Sequence, residues 1–307
     1  MPILIEELPA RACLVRLKHM GQPALAIWSA GQLNQTRMGM DELMRLSGAE
    51  LRAELQHTTN SLDSSQCELL APVESQEVWA AGVTYLRSKA ARMEESSEAD
   101  VYAKVYEAER PEVFFKSAGW RVVGHGGVAG VRPDSSWNVP EPELAVLSNS
   151  RGELVAYACG NDMSSRTIEG ENPLYLPQAK VYDMSCSIGP AAVLAWEVDE
   201  PNNATITMRI KRGNELVFDG EASLAEMVRD PAELSAVLHS AYPLPAGAWL
   251  MTGTSLVPPL PYTAEADDIV MIEIERIGRL VNTIAVVAHS GALAPPRFAN
   301  RPQRAVQ

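Results

Sequence analysis

Two apolar runs in the middle of the chain predict a β-hairpin. Residues 144–147 and 154–159 are apolar, and the segment between them is rich in Ser, Asn and Gly, which is typical of a turn. Acidic residues lie at the open end of this hairpin: Glu141 and Glu143 precede the first run, and Asp162 follows the second. Because side chains alternate along a strand, the two glutamates point the same way if their segment is extended.

The length of the turn decides whether Asp162 joins the two glutamates. A four-residue loop over 150–153 places Asp162 opposite Glu141 and on its face, whereas a three-residue loop reverses the face unless a β-bulge intervenes. Three carboxylates in one place repel one another unless a cation lies among them. The sequence leaves the register open, so a divalent-metal site is one hypothesis and a solvated acidic strand is the other.

Elsewhere the hydrophobic pattern predicts many strands and few helices. The predicted strands lie at residues 14–17, 24–28, 204–211, 215–218, 249–252, 268–274 and 278–287. The predicted helices lie at residues 40–55 with a break at Ser47-Gly48, and at residues 87–108, 223–228 and 231–240. Because the elements do not alternate as βαβ units, the pattern indicates an α+β fold.

The same pattern divides the chain into three segments. Residues 1–70 are predicted to form a small N-terminal α/β domain, and residues 71–294 the main domain with the acidic hairpin. Residues 295–307 contain Pro and Arg and are predicted to form a C-terminal tail.

Composition narrows the choice of partners and compartment. The 307 residues carry a formal net charge of −13, which disfavours nucleic acid or an anionic membrane as a partner. The four cysteines have no C-x-x-C spacing, as expected of thiols in a reducing cytosol. The start of the chain lacks the pattern of a signal peptide, and no run of apolar residues is long enough to span a membrane. We therefore expect a cytoplasmic protein.

Five sequence blocks, in order and spacing, resemble the fumarylacetoacetate hydrolase superfamily over residues 77–288. The blocks are Ala81-Gly82-Val83-Thr84-Tyr85, Arg110-Pro111-Glu112-Val113-Phe114-Phe115-Lys116, Glu141-Pro142-Glu143 with Asn161-Asp162-Met163-Ser164, Lys180-Val181-Tyr182-Asp183 with Gly189-Pro190, and Thr252-Gly253-Thr254. The resemblance implies the mixed β-roll or sandwich fold of this superfamily. It also implies a metal ion bound by Glu141, Glu143 and Asp162.

Within the superfamily the chain is most similar to the 2-dehydro-3-deoxy-D-pentonate (arabinonate or xylonate) dehydratases. The shared features include P-Q-A-K-x-Y-D at residues 177–183 and Ile277-Gly278-x-Leu280-x-Asn282. Carbon–carbon hydrolases of the superfamily carry a histidine three residues after the tyrosine of the first block, where this chain has Ser88. A general base with a pKa near neutrality is thus missing at this position, which argues against hydrolysis and favours lyase chemistry.

The resemblance implies a metal-dependent hydro-lyase of pentose catabolism that converts a 2-keto-3-deoxy sugar acid into 2,5-dioxopentanoate. Lys180 is the candidate for proton transfer or for anchoring the substrate carboxylate, and Glu112 is the candidate acid or holder of the leaving water. Arg166 and Asp183 are expected to support the metal ligands. The predicted substrate contacts are Tyr85, Arg87, Lys116, Gly253 and Thr254.

Oxygen ligands favour magnesium, with manganese or calcium as alternatives. The expected partner is a small 2-keto acid, and the superfamily implies a homodimer or homotetramer. Two other functions compete with dehydration. One is an acylpyruvate-type or fumarylacetoacetate-type hydrolase or an oxaloacetate-type decarboxylase, and the other is a binding module without catalysis.

Overall fold

The computed structural model describes residues 7–86 and 104–287, and strands dominate this part of the chain. The strands are β1 (Cys13–His19), β2 (Gln22–Ser29), β3 (Gln32–Thr36), β4 (Thr58–Ser61), β5 (Cys67–Leu69), β6 (Glu77–Gly82), β7 (Glu112–Ser117), β8 (Val128–Val131), β9 (Asn138–Val139), β10 (Pro142–Ser148), β11 (Leu154–Asp162), β12 (Ser164–Ser165), β13 (Cys186–Leu194), β14 (Thr205–Arg212), β15 (Glu215–Ser223), β16 (Ala248–Met251), β17 (Ile269–Ile274) and β18 (Gly278–Val286). The α-helices are α1 (Met40–Leu43), α2 (Gly48–Glu54), α3 (Arg166–Glu171), α4 (Leu176–Lys180) and α5 (Pro231–His239).

Eleven of these strands form one large sheet. Its order is β4-β3-β2-β1-β13-β11-β10-β16-β6-β7, and β5 pairs with β1 beside this path. Neighbouring strands are antiparallel except for β16 and β6, which are parallel. The order brings β10 and β11 to the middle of the sheet, where both strands are almost entirely buried.

A second sheet of five strands, in the order β15-β14-β17-β18-β8, packs on one face of the large sheet. The core between them includes Val146 from β10, Met208 from β14 and Ile272 from β17, all fully buried. The opposite face of the large sheet is covered by α1 and α2, whose Leu43 and Leu51 belong to a separate core. Both faces are thus apolar, which explains the continuous hydrophobic runs of the central strands.

The helices near the start of the chain agree with the sequence prediction. A break separates α1 from α2, and Ser47 caps α2: its hydroxyl accepts a hydrogen bond from the Glu50 amide at 3.3 Å, and the Glu50 carboxylate accepts one from the Ser47 amide at 2.8 Å. This capping box satisfies two amides that a helix start leaves unpaired. The predicted helix at residues 231–240 is likewise present as α5.

The predicted helix at residues 223–228 is wrong. Strand β15 continues to Ser223, which pairs with Thr205, and only a single 3₁₀ turn follows at Leu224–Glu226. Ser223 pairs with β14, Met227 forms a β-bridge with Tyr85, and the Val228 amide donates to the Thr84 carbonyl at 2.9 Å. These contacts outweigh the weak helical preference of so few residues.

The N-terminal strands extend the main sheet, because β1 pairs with β13 through Cys13 and Val193. This continuous sheet does not establish a domain boundary near residue 70, which stays a prediction. The predicted helix over 87–108 lies mostly outside the described residues, as do Ser88 and the tail at 295–307. In the part of the chain that the structure covers, no helix has the length and apolar character required to cross a membrane.

Candidate metal centre and active site

The predicted site residues meet at one edge of five neighbouring strands, β11-β10-β16-β6-β7. Asp162 ends β11, Glu143 lies near the start of β10, and Glu112 begins β7. Between them lie residues 252–254, directly after β16, and Gly82 at the end of β6. Strands β11, β16 and β6 end at this edge, and the antiparallel strands β10 and β7 start there, so the edge gathers distant parts of the sequence.

A β-bulge sets the register that brings Asp162 to Glu141. The turn itself is short, because the Asn149 amide already donates to the Glu153 carbonyl at 3.0 Å. Beyond it Ser148 pairs with Leu154 but Leu147 pairs with Ala156, so Val155 is the extra residue. This combination of a three-residue turn and a bulge restores the register of a four-residue loop. The Asp162 amide consequently donates to the Glu141 carbonyl at 2.9 Å.

Glu141, Glu143 and Asp162 form a buried cluster. Each offers a carboxylate oxygen within 4.8 Å of the others, and none of the three is more than 2% exposed. Burial, followed by the negative charges of Asp162 and Glu141, raises the pKa of Glu143 well above its ordinary value. Oxygen-only donors at this spacing fit a hard divalent cation such as Mg²⁺ better than zinc, which favours nitrogen and sulfur.

Lys180 lies at the end of α4 and joins two of these carboxylates. Its ammonium group donates to Glu141 Oε2 at 2.6 Å, to Asp162 Oδ2 at 2.9 Å and to Ser164 Oγ at 2.6 Å. Burial opposes the ionisation of Asp162, but the ammonium groups of Lys116 and Lys180 outweigh it and hold the pKa of Asp162 below its usual value.

Lys116 on β7 is fully buried and reaches the same carboxylate from the other side. Its Nζ atom lies 2.5 Å from Asp162 Oδ1 and donates to the carbonyl oxygens of Met163 at 3.1 Å and Lys180 at 2.5 Å. An ammonium group has three hydrogens to donate, and all three have acceptors within the protein. The predicted contact of Lys116 with substrate stays a prediction beside this structural role.

Arg166 begins α3 and holds Glu141 from the side opposite Lys180. Its Nη2 atom lies 2.7 Å from Glu141 Oε1, and its Nη1 atom lies 3.3 Å from Glu169 Oε2. Asp183 is only partly buried, and its carbonyl oxygen packs against the backbone of Gly130. Asp183 is therefore not one of the three clustered carboxylates.

Besides Lys116, the described substrate contacts that the sequence predicts are Tyr85, Gly253 and Thr254, which follow β6 and β16. The Gly253 amide donates to Glu143 Oε2 at 2.6 Å, with Gly253 in the left-handed region at φ 91°. The Thr254 hydroxyl accepts from the Leu256 amide at 3.1 Å. Tyr85 is buried, and burial followed by the charge of Glu143 raises the pKa of its hydroxyl. Arg87 lies outside the described residues.

Two residues at the site were not singled out from sequence. Ser164 accepts a hydrogen bond from Lys180, although the sequence offered it only as part of the Asn161-Asp162-Met163-Ser164 block. Glu169 pairs with Arg166 one helical turn away, an i,i+3 spacing that could have been found had α3 been predicted.

Comparison with known proteins agrees with this geometry. Residues 77–285 match the family model for the C-terminal domain of fumarylacetoacetate hydrolase. A protein of Haloferax volcanii, described as a probable 2-keto-3-deoxyxylonate dehydratase, is 48% identical over 247 residues, which cover 80% of this chain and 85% of that protein. The 2-dehydro-3-deoxy-D-arabinonate dehydratase of Saccharolobus solfataricus is 37% identical over 235 residues, covering 75% and 79% of the two chains.

A solved structure gives the same result for the fold. The 2-keto-3-deoxy-D-arabinonate dehydratase complexed with magnesium and 2,5-dioxopentanoate superposes with a TM-score of 0.80 at 30% identity, over 90% of this chain and 99% of that chain. The prediction of a sheet-rich α+β fold of the fumarylacetoacetate hydrolase type is thereby confirmed.

Proposed function

The chain belongs to the fumarylacetoacetate hydrolase family, and from this premise we propose that it is a magnesium-dependent dehydratase of a 2-keto-3-deoxy pentonate. The product is 2,5-dioxopentanoate, the compound bound in the related magnesium complex. The observation that supports this most directly is the buried cluster of Glu141, Glu143 and Asp162 with Lys180 in contact with two of them.

The three carboxylates would hold the metal ion, and Arg166 and Gly253 would orient them. The Arg166 guanidinium fixes one oxygen of Glu141, and the Gly253 amide fixes one oxygen of Glu143. Ligands held in this way keep their geometry when the metal and substrate enter. A magnesium ion there supplies the Lewis acidity that makes protons beside a keto group easier to remove. Manganese and calcium are alternatives that the same oxygen set would accept.

Dehydration requires one proton to leave C3 and the hydroxyl to leave C4 as water. We assign proton transfer or anchoring of the substrate carboxylate to Lys180, which is buried among charged partners. Glu112 is assigned to the leaving hydroxyl, as proton donor or as holder of the water. The unsaturated product then loses a proton from C5 and gains one at C3, which gives the C4–C5 enol, and the enol hydroxyl proton moves to C4 to give the aldehyde. Substrate therefore equals product plus one water.

The remaining predicted contacts complete the pocket in this proposal. Tyr85 and Thr254 present hydroxyl groups, and Arg87 a guanidinium group, to the oxygen atoms of the sugar acid. Asp183 would support the turn after α4. Lys116 and Gly253 would act on substrate indirectly if their contacts with Asp162 and Glu143 persist. A homodimer or homotetramer in the cytoplasm is the expected form of the enzyme.

Histidine placement favours dehydration over hydrolysis. His239 Nε2 lies 2.8 Å from Ser148 Oγ, at the turn end of β10 and away from the carboxylates. His125 Nδ1 lies 2.9 Å from the Arg279 carbonyl oxygen, beside the second sheet. A hydrolase needs a base near neutrality to activate water, and these two histidines are already engaged elsewhere.

The test is turnover of 2-keto-3-deoxy-D-pentonate by the purified protein with magnesium. 2,5-Dioxopentanoate would be followed by coupled oxidation of its aldehyde. We expect product with magnesium and none with EDTA. Parallel reactions would contain an acylpyruvate or oxaloacetate, and release of pyruvate from these with no aldehyde from the pentonate would favour the hydrolase or decarboxylase reading.

A pair of variants tests whether turnover depends on the carboxylate cluster and not on charge at the protein surface. Glu141→Gln removes a charge from the cluster and should abolish metal-dependent turnover. Glu215→Gln changes an exposed glutamate on β15 and should leave the rate unchanged. Binding of magnesium without turnover of any 2-keto acid would instead favour a binding module.

A further inference from the structure

The Glu112 side chain lies over a position that has no side chain, Gly82. Glu112 and Gly82 are direct partners in the antiparallel pair of β7 and β6. A Cβ atom built on Gly82 would lie 2.8 Å from Glu112 Cδ and closer still to Glu112 Oε2. These distances are shorter than real Cβ contacts, so the Glu112 carboxylate occupies the space that any other residue at 82 would fill.

The register shows that this space lies on the same face of the sheet as Glu143. Ala80 on β6, Met251 on β16 and Ala145 on β10 pair in one row and share one core. Because side chains repeat every second residue, Gly82 and Glu143, each two residues nearer the site edge, project from the same face. A carboxylate lying over Gly82 is therefore directed inward from the edge strand β7.

Backbone conformation does not explain the glycine. Gly82 is the last residue of β6, and it is absent from the residues with positive φ among those that the structure describes. Gly253, by contrast, has a φ of 91° and therefore needs glycine for its backbone as well. The requirement at position 82 is thus one of space beside Glu112.

We propose that Gly82 is a positioning residue, whose missing side chain lets the Glu112 carboxylate lie across β6 and face the substrate. This inference rests on the proposed function, in which Glu112 acts on the leaving hydroxyl. With alanine at position 82 the carboxylate must turn away from β6, towards the open side of the edge strand. Displacement of a catalytic group by about 1 Å can lower the rate about 100-fold.

A double-mutant cycle tests the proposal. Glu112→Gln should lower kcat by about 100-fold or more, the range for loss of a general acid. Gly82→Ala should lower kcat by a similar factor, and adding it to Glu112→Gln should lower kcat no further, because Gly82 acts through Glu112. Gly48→Ala is the control: this glycine also faces a glutamate carboxylate, but its Cβ would lie 3.8 Å from Glu153 Oε2, and kcat should be unchanged.

Metal binding and crystallography distinguish this proposal from a general disturbance of the site. Mn²⁺ affinity, measured by electron paramagnetic resonance without substrate, should stay within about twofold in Gly82→Ala, since β10 and β11 are untouched. A crystal structure of Gly82→Ala should show Glu112 turned away from β6. Wild-type kcat in Gly82→Ala, an unmoved Glu112, or additive losses in the double variant would overturn the proposal.

Two outcomes distinguish failure of the Gly82 proposal from failure of the proposed function. If the wild type does not turn over the pentonate, or Glu112→Gln is fully active, the role of Glu112 is wrong, and the crystal structure still decides whether Gly82 positions its carboxylate. If Gly82→Ala does not fold, Gly82→Ala with Glu112→Ala must fold, because the clash is gone. Misfolding of both variants would overturn the steric argument.

Discussion

Asp162 takes part in two of the site's buried ion pairs, both with lysines. Two buried ammonium groups contact its carboxylate, Lys116 at 2.5 Å and Lys180 at 2.9 Å. A buried ion pair adds little net stability, but removal of one partner leaves an uncompensated charge in the interior. Asp162 is therefore expected to matter for folding as well as for the metal ion.

Asp162→Asn should lose metal binding and turnover together. The free energy of unfolding should fall by about 3–5 kcal/mol, because Lys116 loses the carboxylate it contacts. Mn²⁺ titration and urea denaturation measure the two effects. Asp219→Asn is the matched control, since Asp219 pairs with Arg209 at 3.2 Å on the surface and its loss should change stability by less than about 1 kcal/mol. Full metal affinity in Asp162→Asn would contradict the assignment of this ligand.

At the same scale, the sequence indicated the chemistry of single residues better than their partners. Glu141, Glu143 and Asp162 are recognisable as hard oxygen ligands from residue type and strand position. The contact of Lys116 with Asp162 is not, because 46 positions separate these residues and nothing local relates them. Burial raises the pKa of Glu143, and the ammonium groups of Lys116 and Lys180 lower the pKa of Asp162 against the effect of burial. Both effects are likewise properties of the folded chain.

At the scale of elements, Lys116 links three separate pieces of the fold. It lies on β7, contacts the carboxylate that ends β11, and donates to the carbonyl oxygen of Lys180, the last residue of α4. The site edge of the sheet and the helix that carries Lys180 are thus held together by one ammonium group. The link would keep Lys180 beside the metal ligands.

Lys116→Met discriminates between this link and the predicted contact with substrate. If Lys116 links the elements, the free energy of unfolding should fall by about 3 kcal/mol or more, and kcat should fall with it. If Lys116 only binds substrate, KM should rise while stability is unchanged. Urea denaturation and steady-state kinetics measure both. Lys211→Met, an exposed lysine on β14, is the control and should alter stability by less than about 0.5 kcal/mol.

The hairpin of β10 and β11 shows which features of an element can be predicted from sequence. Its two strands and its turn follow from the hydrophobic pattern, and both alternatives for the loop length were available from sequence. The bulge at Val155 was not, since bulges depend on how a strand bends against its neighbours. The failed helix at 223–228 has the same origin, namely pairing with residues far away in sequence, on β14 and at residues 84–85.

At the scale of the whole molecule, the metal binding proposed for the buried carboxylates would be coupled to folding. A ligand that binds only the folded chain stabilises it according to its concentration relative to its dissociation constant. The cluster lies between the middle of the large sheet, at β10 and β11, and the two helices that carry Arg166 and Lys180. Metal binding should therefore stabilise the main sheet and these helices together.

Removal of the metal should lower the thermal midpoint. At a magnesium concentration 100 times the dissociation constant, the folded protein should gain about 2.7 kcal/mol over the EDTA-treated form. Differential scanning calorimetry across a magnesium series measures this shift. Glu141→Gln is the control and should respond little to magnesium. An equal response in this variant and the wild type would mean that the ion binds elsewhere.

The sequence by itself determined the α+β class, half of the strands in the described part of the chain, the family and the residue types of the proposed metal site. Each of these depends on local periodicity or on blocks of adjacent residues, which a linear chain displays directly. Tertiary structure alone decided the pairing of β1 with β13, the link made by Lys116, and the place of Glu112 over Gly82. These depend on contacts between residues far apart in sequence, whose distances are fixed only when the strands pack.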